Sequence, residues 1–149
     1  MLKASNKVLK NHTTRKMPNS DSIPQPNKVI LSYMIIELLE NGIVRFEVRK
    51  DFFLDMAKAM EMVEICKKLY QNKIYKSLKI VPFKMQIDDE VLKFLSSDAR
   101  SNMISLEAVV VNSSALKMLG NFYLRIRKPK IKTKIFDKEK DAISWLLQN

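Results

Sequence analysis

The sequence contains very few of the residues from which catalytic, metal and disulfide sites are commonly built. Its 149 residues include one cysteine and one histidine. The cysteine, Cys66, cannot form an internal disulfide, and its place on an apolar helix face is typical of a small buried side chain in a reducing compartment. The histidine, His12, has no plausible partner nearby, which excludes most hydrolase triads and most histidine-based metal sites. We therefore expect no catalytic residue, no metal site and no enzymatic activity.

Glycines and long apolar runs are also scarce. Gly42 and Gly120 are the two glycines, whereas a phosphate-binding loop or a dinucleotide fingerprint needs several close together, so no cofactor is predicted. No apolar run approaches the roughly 20 residues that span a bilayer. The segment from Met1 to Lys16 lacks the apolar stretch of a secretory signal. We expect a cytoplasmic protein without a transmembrane segment.

The charge of the chain is strongly positive and unevenly distributed. The formal net charge is +11, and residues 1–28 carry six lysines and arginines against one acid, Asp21. Further along, the excess is concentrated in a basic patch, which consists of Arg125, Arg127, Lys128, Lys130, Lys132 and Lys134. Such charge can attract nucleic acid, anionic lipid or an acidic protein, although a solvated surface is its commonest explanation.

Composition divides the chain into a tail and one domain. Residues 1–30 are rich in Lys, Asn, Ser and Thr and contain Pro18, Pro24 and Pro26. They are predicted to form a disordered basic tail. Residues 31–149 are long enough for a hydrophobic core and are predicted to form a single α/β domain.

The clearest local pattern is a β-hairpin. Two apolar segments, Met34–Leu39 and Ile43–Arg49, flank Asn41-Gly42, a pair that suits a two-residue type I′ turn. In the second segment Val44, Phe46 and Val48 alternate with charged residues, as expected of a strand with one face on a core. The hairpin should be antiparallel.

After the hairpin, helical and strand patterns alternate. A helix capped by Asp51 and reaching Tyr70 should carry Phe52 in its apolar stripe. The third helix should begin at Ser113 or Ser114 and bury Leu116, Leu119, Phe122 and Ile126. The other predicted elements are a strand over Ser77–Phe83, a helix from Asp88 to Ala99, an internal strand over Leu106–Val111, an edge strand over Ile131–Phe136 and a helix capped by Asp137. The order is β-β-α-β-α-β-α-β-α, and right-handed crossovers make the later strands parallel.

This order, over roughly residues 34–148, resembles the SpoIIAA-like fold of STAS domains. The resemblance is carried by the hairpin Ile35–Arg49, the segment Phe94–Arg100, the strand Glu107–Asn112, and the pattern Ile135–Glu139 followed by Ala142–Leu146. That closing pattern looks much like the one in bacterial SpoIIAA-like and STAS/SEC14-type proteins. The resemblance implies an N-terminal antiparallel hairpin leading into a mostly parallel sheet, and a non-enzymatic regulatory or ligand-binding module.

The family's phosphorylation site is not matched. STAS domains that antagonise anti-sigma factors carry a phosphorylatable serine at the start of the helix after the third strand. The corresponding stretch here, Met85–Asp89, contains no Ser, Thr or Gly. Asp88 and Asp89 could supply permanent negative charge there, but helix capping is the better supported role.

Two further groups of polar residues are candidate binding residues. Ser96, Ser97 and Arg100 could hold an anion at a helix end. Asn112, Ser113 and Ser114 follow the internal strand, and open α/β sheets bind ligands beyond the carboxyl ends of their strands. A pocket, if present, should be lined by residues 112–114 and 83–88, with capping as the simpler role for the two serines.

The leading functional hypothesis is a regulatory or interaction module that binds a protein partner or a small apolar ligand or lipid. Nine methionines favour the apolar ligand. The alternative is binding of nucleic acid or an anionic surface by the tail and the basic patch. That alternative lacks a stacking platform, because Phe122 and Tyr123 are expected in the core. The sequence leaves the oligomeric state open.

Overall fold

Eight strands and five helices account for most of the residues that the computed structural model describes, which are 27–49, 51–82 and 85–149. The strands are β1 (Lys28–Ile30), β2 (Met34–Leu38), β3 (Ile43–Val48), β4 (Phe52–Leu54), β5 (Tyr75–Val81), β6 (Met85–Ile87), β7 (Ile104–Val111) and β8 (Lys132–Phe136). The helices are α1 (Met56–Tyr70), α2 (Asp89–Leu95), α3 (Asp98–Ser101), α4 (Ser114–Arg127) and α5 (Glu139–Gln148).

Six strands form the main sheet in the order β1-β2-β3-β5-β7-β8. Strands β1, β2 and β3 are antiparallel, whereas β3, β5, β7 and β8 are parallel. The predicted hairpin leading into a mostly parallel sheet is therefore confirmed. Strand β7 is internal and β8 is an edge strand, also as expected, and the outward Lys132 and Lys134 of β8 are exposed.

The predicted type I′ turn is wrong. Gly42 donates its N–H to the carbonyl of Leu39 (2.9 Å), and Leu39 donates to the carbonyl of Ile43 (2.9 Å). Gly42 has a φ of 82°, but Asn41 does not have a positive φ. The loop therefore has three residues, with the glycine in the left-handed position of a bulge. A side-chain oxygen of Asn41 accepts from the N–H of Ile43 (3.2 Å) instead.

Strand β1 lies inside the segment predicted to be a disordered tail. Its three residues pair antiparallel with β2, for example Val29 with Ile36. The ordered sheet thus begins before residue 31. Residues 1–26 of the predicted tail, with His12, lie outside the described residues.

The start of α1 was also predicted wrongly. Asp51 has a φ of 57° and precedes β4, which pairs in parallel with β6 in a second, two-stranded sheet. Phe52 therefore belongs to a strand, where it is buried and Phe53 is exposed. The helix cap is Asp55, whose carboxylate accepts from the backbone N–H of Lys58 at 2.9 Å.

The predicted helix from Asp88 to Ala99 is divided into α2 and α3. Ser96 and Ser97 lie at the division and donate their hydroxyls to the carbonyls of Leu92 (3.1 Å) and Phe94 (2.7 Å). Such side-chain bonds compete with continued helical bonding. At the C-terminus, the cap position of α5 is Lys138 rather than Asp137, and Asp137 forms an ion pair with Lys117 at 3.5 Å.

The main sheet has a hydrophobic core on each face. Helix α5 covers one face, which we call the α5 face, where Leu78, Ala108 and Leu146 are almost fully buried. Helices α1 to α4 lie on the opposite, or α1, face. Its core contains Met34, Ile36, Val44, Phe46, Ala59, Cys66, Val91 and Ile104.

Helix α4 is rotated relative to the prediction. Leu119, Phe122 and Ile126, predicted to be buried, are 64%, 59% and 63% exposed. Gly120 faces the sheet instead, and a Cβ there would lie 2.2 Å from Cδ1 of Ile135. Because any larger residue there would force Cδ1 of Ile135 to move, Gly120 favours packing of this side of the helix on β8.

We expect Gly120→Ala to be destabilising in a way that depends on Ile135. The new methyl gains about 1 kcal/mol of helix propensity but overpacks against Cδ1, which typically costs about 1–3 kcal/mol. Ile135→Val removes Cδ1, so Gly120→Ala should cost at least about 1 kcal/mol less in that background. Urea denaturation of the four proteins of this double-mutant cycle measures the coupling. Additive effects would contradict the proposed packing.

Candidate functional site

The most conspicuous surface feature is an apolar face on α4, formed by Met118, Leu119, Phe122 and Ile126. The four side chains are 59–76% exposed. Spacings of three and four residues bring them together on one side of the helix. Single exposed apolar residues are common, but a contiguous group of large ones is typical of an interaction surface. We call this group the α4 face.

Cations border the α4 face. Residues 114–128 contain no acidic side chain. Arg125 and Arg127 lie in the last turn and Lys128 at the C-cap, and all three are exposed. Positive charge at this position also interacts favourably with the helix dipole. The surface therefore combines an apolar stripe with positive potential.

The predicted basic patch is not one surface. Lys132 extends over the ring of Trp145 (5.7 Å from Nζ to the ring centroid) and donates to the side-chain oxygen of Asn149 at 3.1 Å. Lys134 extends over the ring of Phe136. Both lysines therefore lie on the α5 face, opposite Arg125 and Arg127. Lys130, between the two groups, pairs with Asp98.

Two of the predicted polar site residues, Ser113 and Asp88, cap helices with their side chains. Ser113 accepts through its hydroxyl oxygen from the N–H of Leu116 (3.2 Å), and Ser114 is the exposed first residue of α4. Asp88 caps α2 by accepting from the N–H of Glu90 at 3.5 Å, and the exposed Asp89 begins that helix. These interactions favour the capping interpretation.

Among the predicted strand-end residues, Asn112 lines a cavity at the edge of the main sheet. The cavity has a volume of about 410 Å³ and lies at the carboxyl ends of β3, β5 and β7. Ile80, Val110 and Asp137 also line it. Residues 83 and 84 of the predicted pocket lie outside the described residues.

Arg100, predicted to bind an anion with Ser96 and Ser97, instead belongs to a buried charge cluster. Its guanidinium donates through Nη1 to the carbonyl of Leu95 (3.1 Å) and through Nη2 to Oε2 of Glu107. Nζ of Lys79 lies 2.9 Å from the same carboxylate oxygen. Two buried cations thus share one carboxylate. Sequence reasoning missed this cluster, although Glu107 is the single charged residue of an otherwise apolar strand.

A β-bulge gives Glu107 its direction. Tyr75 pairs with Ile104, but the next residue, Lys76, pairs with Leu106, so Ser105 is an extra residue in β7. Ile104 therefore packs in the core of the α1 face and Leu106 in that of the α5 face. Glu107 then pairs with Ser77 and projects to the α1 face.

Burial and charge both affect ionisation in the cluster. Burial raises the pKa of Glu107, but Lys79 and Arg100 lower it more, so that the pKa lies below its ordinary value. Burial and the charge of Arg100 lower the pKa of Lys79, against the opposing effect of Glu107. Burial also raises the pKa of the Cys66 thiol to about 11. At neutral pH the thiol is therefore protonated and weakly nucleophilic.

Two features are absent from the described part of the chain. None of its helices has the length and apolar character needed to cross a membrane. No group of three or more His, Cys, Asp or Glu side chains within residues 27–49, 51–82 and 85–149 is arranged to hold a metal ion.

Removing the buried carboxylate should strongly destabilise the fold. Glu107→Gln leaves Lys79 and Arg100 buried without their shared counter-charge, which typically costs about 3–5 kcal/mol. Glu47→Gln is the matched control, since Glu47 is 45% exposed and its partner Arg45 keeps a second carboxylate, that of Glu139, so the loss should be about 0–1 kcal/mol. Urea denaturation measures both losses. Similar small losses would contradict the role given to Glu107.

The effect of Glu107→Gln should also depend on pH. A carboxylate whose pKa is lowered by folding stabilises the protein above its unfolded pKa of about 4.3. This contribution disappears as the pH falls through the lower pKa of the folded state. The difference in free energy of unfolding between wild type and Glu107→Gln should therefore shrink between about pH 6 and about pH 3. A difference that stays constant over this range would be inconsistent with an ionised Glu107.

Comparison with known proteins agrees with the fold. An uncharacterised protein of the DUF3478 family from Shewanella loihica PV-4, whose crystal structure has a SpoIIAA-like fold, superposes with a TM-score of 0.55 and 13% sequence identity. The match covers 76% of this chain and 91% of that chain, and it shows that the chain has a SpoIIAA-like fold. No functionally curated protein matches the sequence. Residues 37–149 match the sequence model of a domain of unknown function, DUF7793, and the chain therefore belongs to the DUF7793 family.

Proposed function

We propose that this STAS-like domain is a non-enzymatic interaction module that binds a protein partner through the α4 face. The observation that carries the proposal is the exposure of Met118, Leu119, Phe122 and Ile126 on one side of a helix. Leaving such side chains in water is unfavourable, at roughly 25 cal/mol per Å² of apolar area. A partner that covers them recovers this free energy on binding.

The charges around the α4 face favour an acidic partner. Arg125, Arg127 and Lys128 are exposed beside the apolar stripe, and residues 114–128 include no acid to compete for them. Complementary charge steers association and suppresses binding of the wrong partners. The partner segment we propose is an amphipathic helix with apolar anchors at helical spacing and Asp or Glu on its flanks.

The alternative function is binding of nucleic acid or an anionic surface, and one observation favours it. Phe122 was expected in the core but is exposed next to Arg125, where an aromatic ring and a guanidinium could stack on a base. Against this, Lys132 and Lys134 lie on the α5 face. The basic patch therefore cannot follow a single strand as one continuous surface.

Substitutions on the α4 face should abolish binding without affecting the fold. The double variant Phe122→Gln, Ile126→Gln removes two exposed anchors, so its stability should stay within about 0.5 kcal/mol per site. The dissociation constant of a labelled helical peptide, with leucine and phenylalanine on one side and glutamate on the other, should rise at least about tenfold. Fluorescence anisotropy measures it. Leu147→Gln, at an exposed apolar residue of α5, is the matched control and should bind like wild type.

The same assay separates the other possible occupants. A peptide with lysine in place of glutamate should bind more weakly than the acidic peptide. Equal binding of both peptides, or of the acidic peptide by wild type and the double variant, would overturn the proposal. Binding of a single-stranded oligonucleotide or of anionic vesicles, with no binding of the acidic peptide, would establish the alternative instead.

A further inference from the structure

The buried cluster of Lys79, Arg100 and Glu107 contains two cationic side chains but only one carboxylate. Two cations share one carboxylate oxygen. The side chains of Arg100 and Glu107 are 6% and 7% exposed, and that of Lys79 is 17% exposed. A buried charge without a counter-charge is costly, so the folded protein gains stability from any anion that can reach it.

The cations also have unused hydrogen-bond donors. A guanidinium has five N–H donors and an ammonium has three. Within the described part of the chain, the guanidinium of Arg100 and the ammonium of Lys79 contact two acceptors, the carbonyl of Leu95 and the carboxylate of Glu107. Ser77 lies on the same face of β5, opposite Glu107, and its fully buried hydroxyl oxygen has no hydrogen-bond partner within the described part of the chain.

A cavity adjoins the two cations. Its volume is about 40 Å³, whereas one water needs roughly 10–15 Å³ on the same measure. Lys79 and Arg100 line it together with Tyr75 and Cys66, and apolar side chains such as Leu54 and Met62 form most of the remaining wall. A mostly apolar space that includes two cations fits a small amphipathic anion better than a halide or a cluster of waters.

We propose that the cavity beneath α1 is a binding site for a short-chain monocarboxylate, whose carboxylate contacts Lys79 and Arg100 and whose alkyl chain lies against the apolar wall. The bound carboxylate balances the charge of the cluster and accepts from donors that the protein leaves unused. No residue of α4 lines this cavity, so the proposed site does not depend on the function proposed for the α4 face.

Propionate titration of the full-length protein tests the site. With ¹³C-labelled methionine methyl groups, Met62 and Met103 report on the cavity, and the exposed Met118 of α4 is an internal control. Propionate should shift the Met62 and Met103 signals saturably at millimolar concentrations and raise the melting temperature, because a ligand that binds only the folded state stabilises it. The Met118 signal should stay unchanged.

Two variants test the role of Lys79 in binding. Lys79→Met leaves a balanced pair of Arg100 and Glu107, so the protein should fold and the affinity for propionate should fall at least about tenfold. Lys76→Met is the matched control, since Lys76 lies on the same strand but projects to the α5 face, where Nζ donates to the carbonyl of Leu146 at 2.6 Å.

Three results would overturn the proposal. The first is the absence of saturable shifts at Met62 and Met103. The second is equal affinity of wild type and Lys79→Met. The third is an equal response to sodium chloride at the same ionic strength, which would show that the site does not select a carboxylate. Retention of propionate binding by the α4 variant Phe122→Gln, Ile126→Gln supports a site separate from the α4 face.

Discussion

One carboxylate oxygen connects two neighbouring strands of the main sheet with the helical segment that lies between them in the sequence. Oε2 of Glu107 joins β7 to Lys79 on β5 and to Arg100 on α3. Arg100 in turn holds the carbonyl of Leu95 at the end of α2. The two strands and the helical connection between them are thus fixed to a single buried point. Charge at this point costs desolvation, and the shared interactions offset the cost only while the carboxylate of Glu107 remains in place.

The outer surface depends on a different contact. Gly120 allows α4 to approach Ile135 so closely that the opposite side of the helix, with Phe122 and Ile126, faces outward. A helix in a small α/β domain ordinarily buries its most apolar side. In α4 the apolar stripe is exposed instead, and the side with Gly120 and Leu124 is half-buried against the sheet. The residue that permits tight packing in the interior thereby also creates the α4 face on the exterior.

Patterns that extend over a whole element could be read from the sequence, whereas single-residue events could not. The alternation of Val44, Phe46 and Val48 predicts β3, and the order of elements predicts the SpoIIAA-like fold. The extra residue Ser105 leaves no trace in the composition, so the direction of Glu107 was not predictable. The rotation of α4 was predictable in principle, since a lone glycine within a helical pattern indicates a close approach. The parallel pairing of β4 with β6 joins short segments about 30 residues apart, which local patterns do not reveal.

The bulge at Ser105 acts like a frameshift within the strand. Before the bulge, the even-numbered Ile104 lies on the α1 face. After the bulge, the even-numbered Leu106 lies on the α5 face. The side chain of Ser105 is exposed and has little influence on packing. At this position the chain is therefore sensitive to the number of residues rather than to their identity, because losing one would place Glu107 and Leu106 on the wrong sides of the sheet.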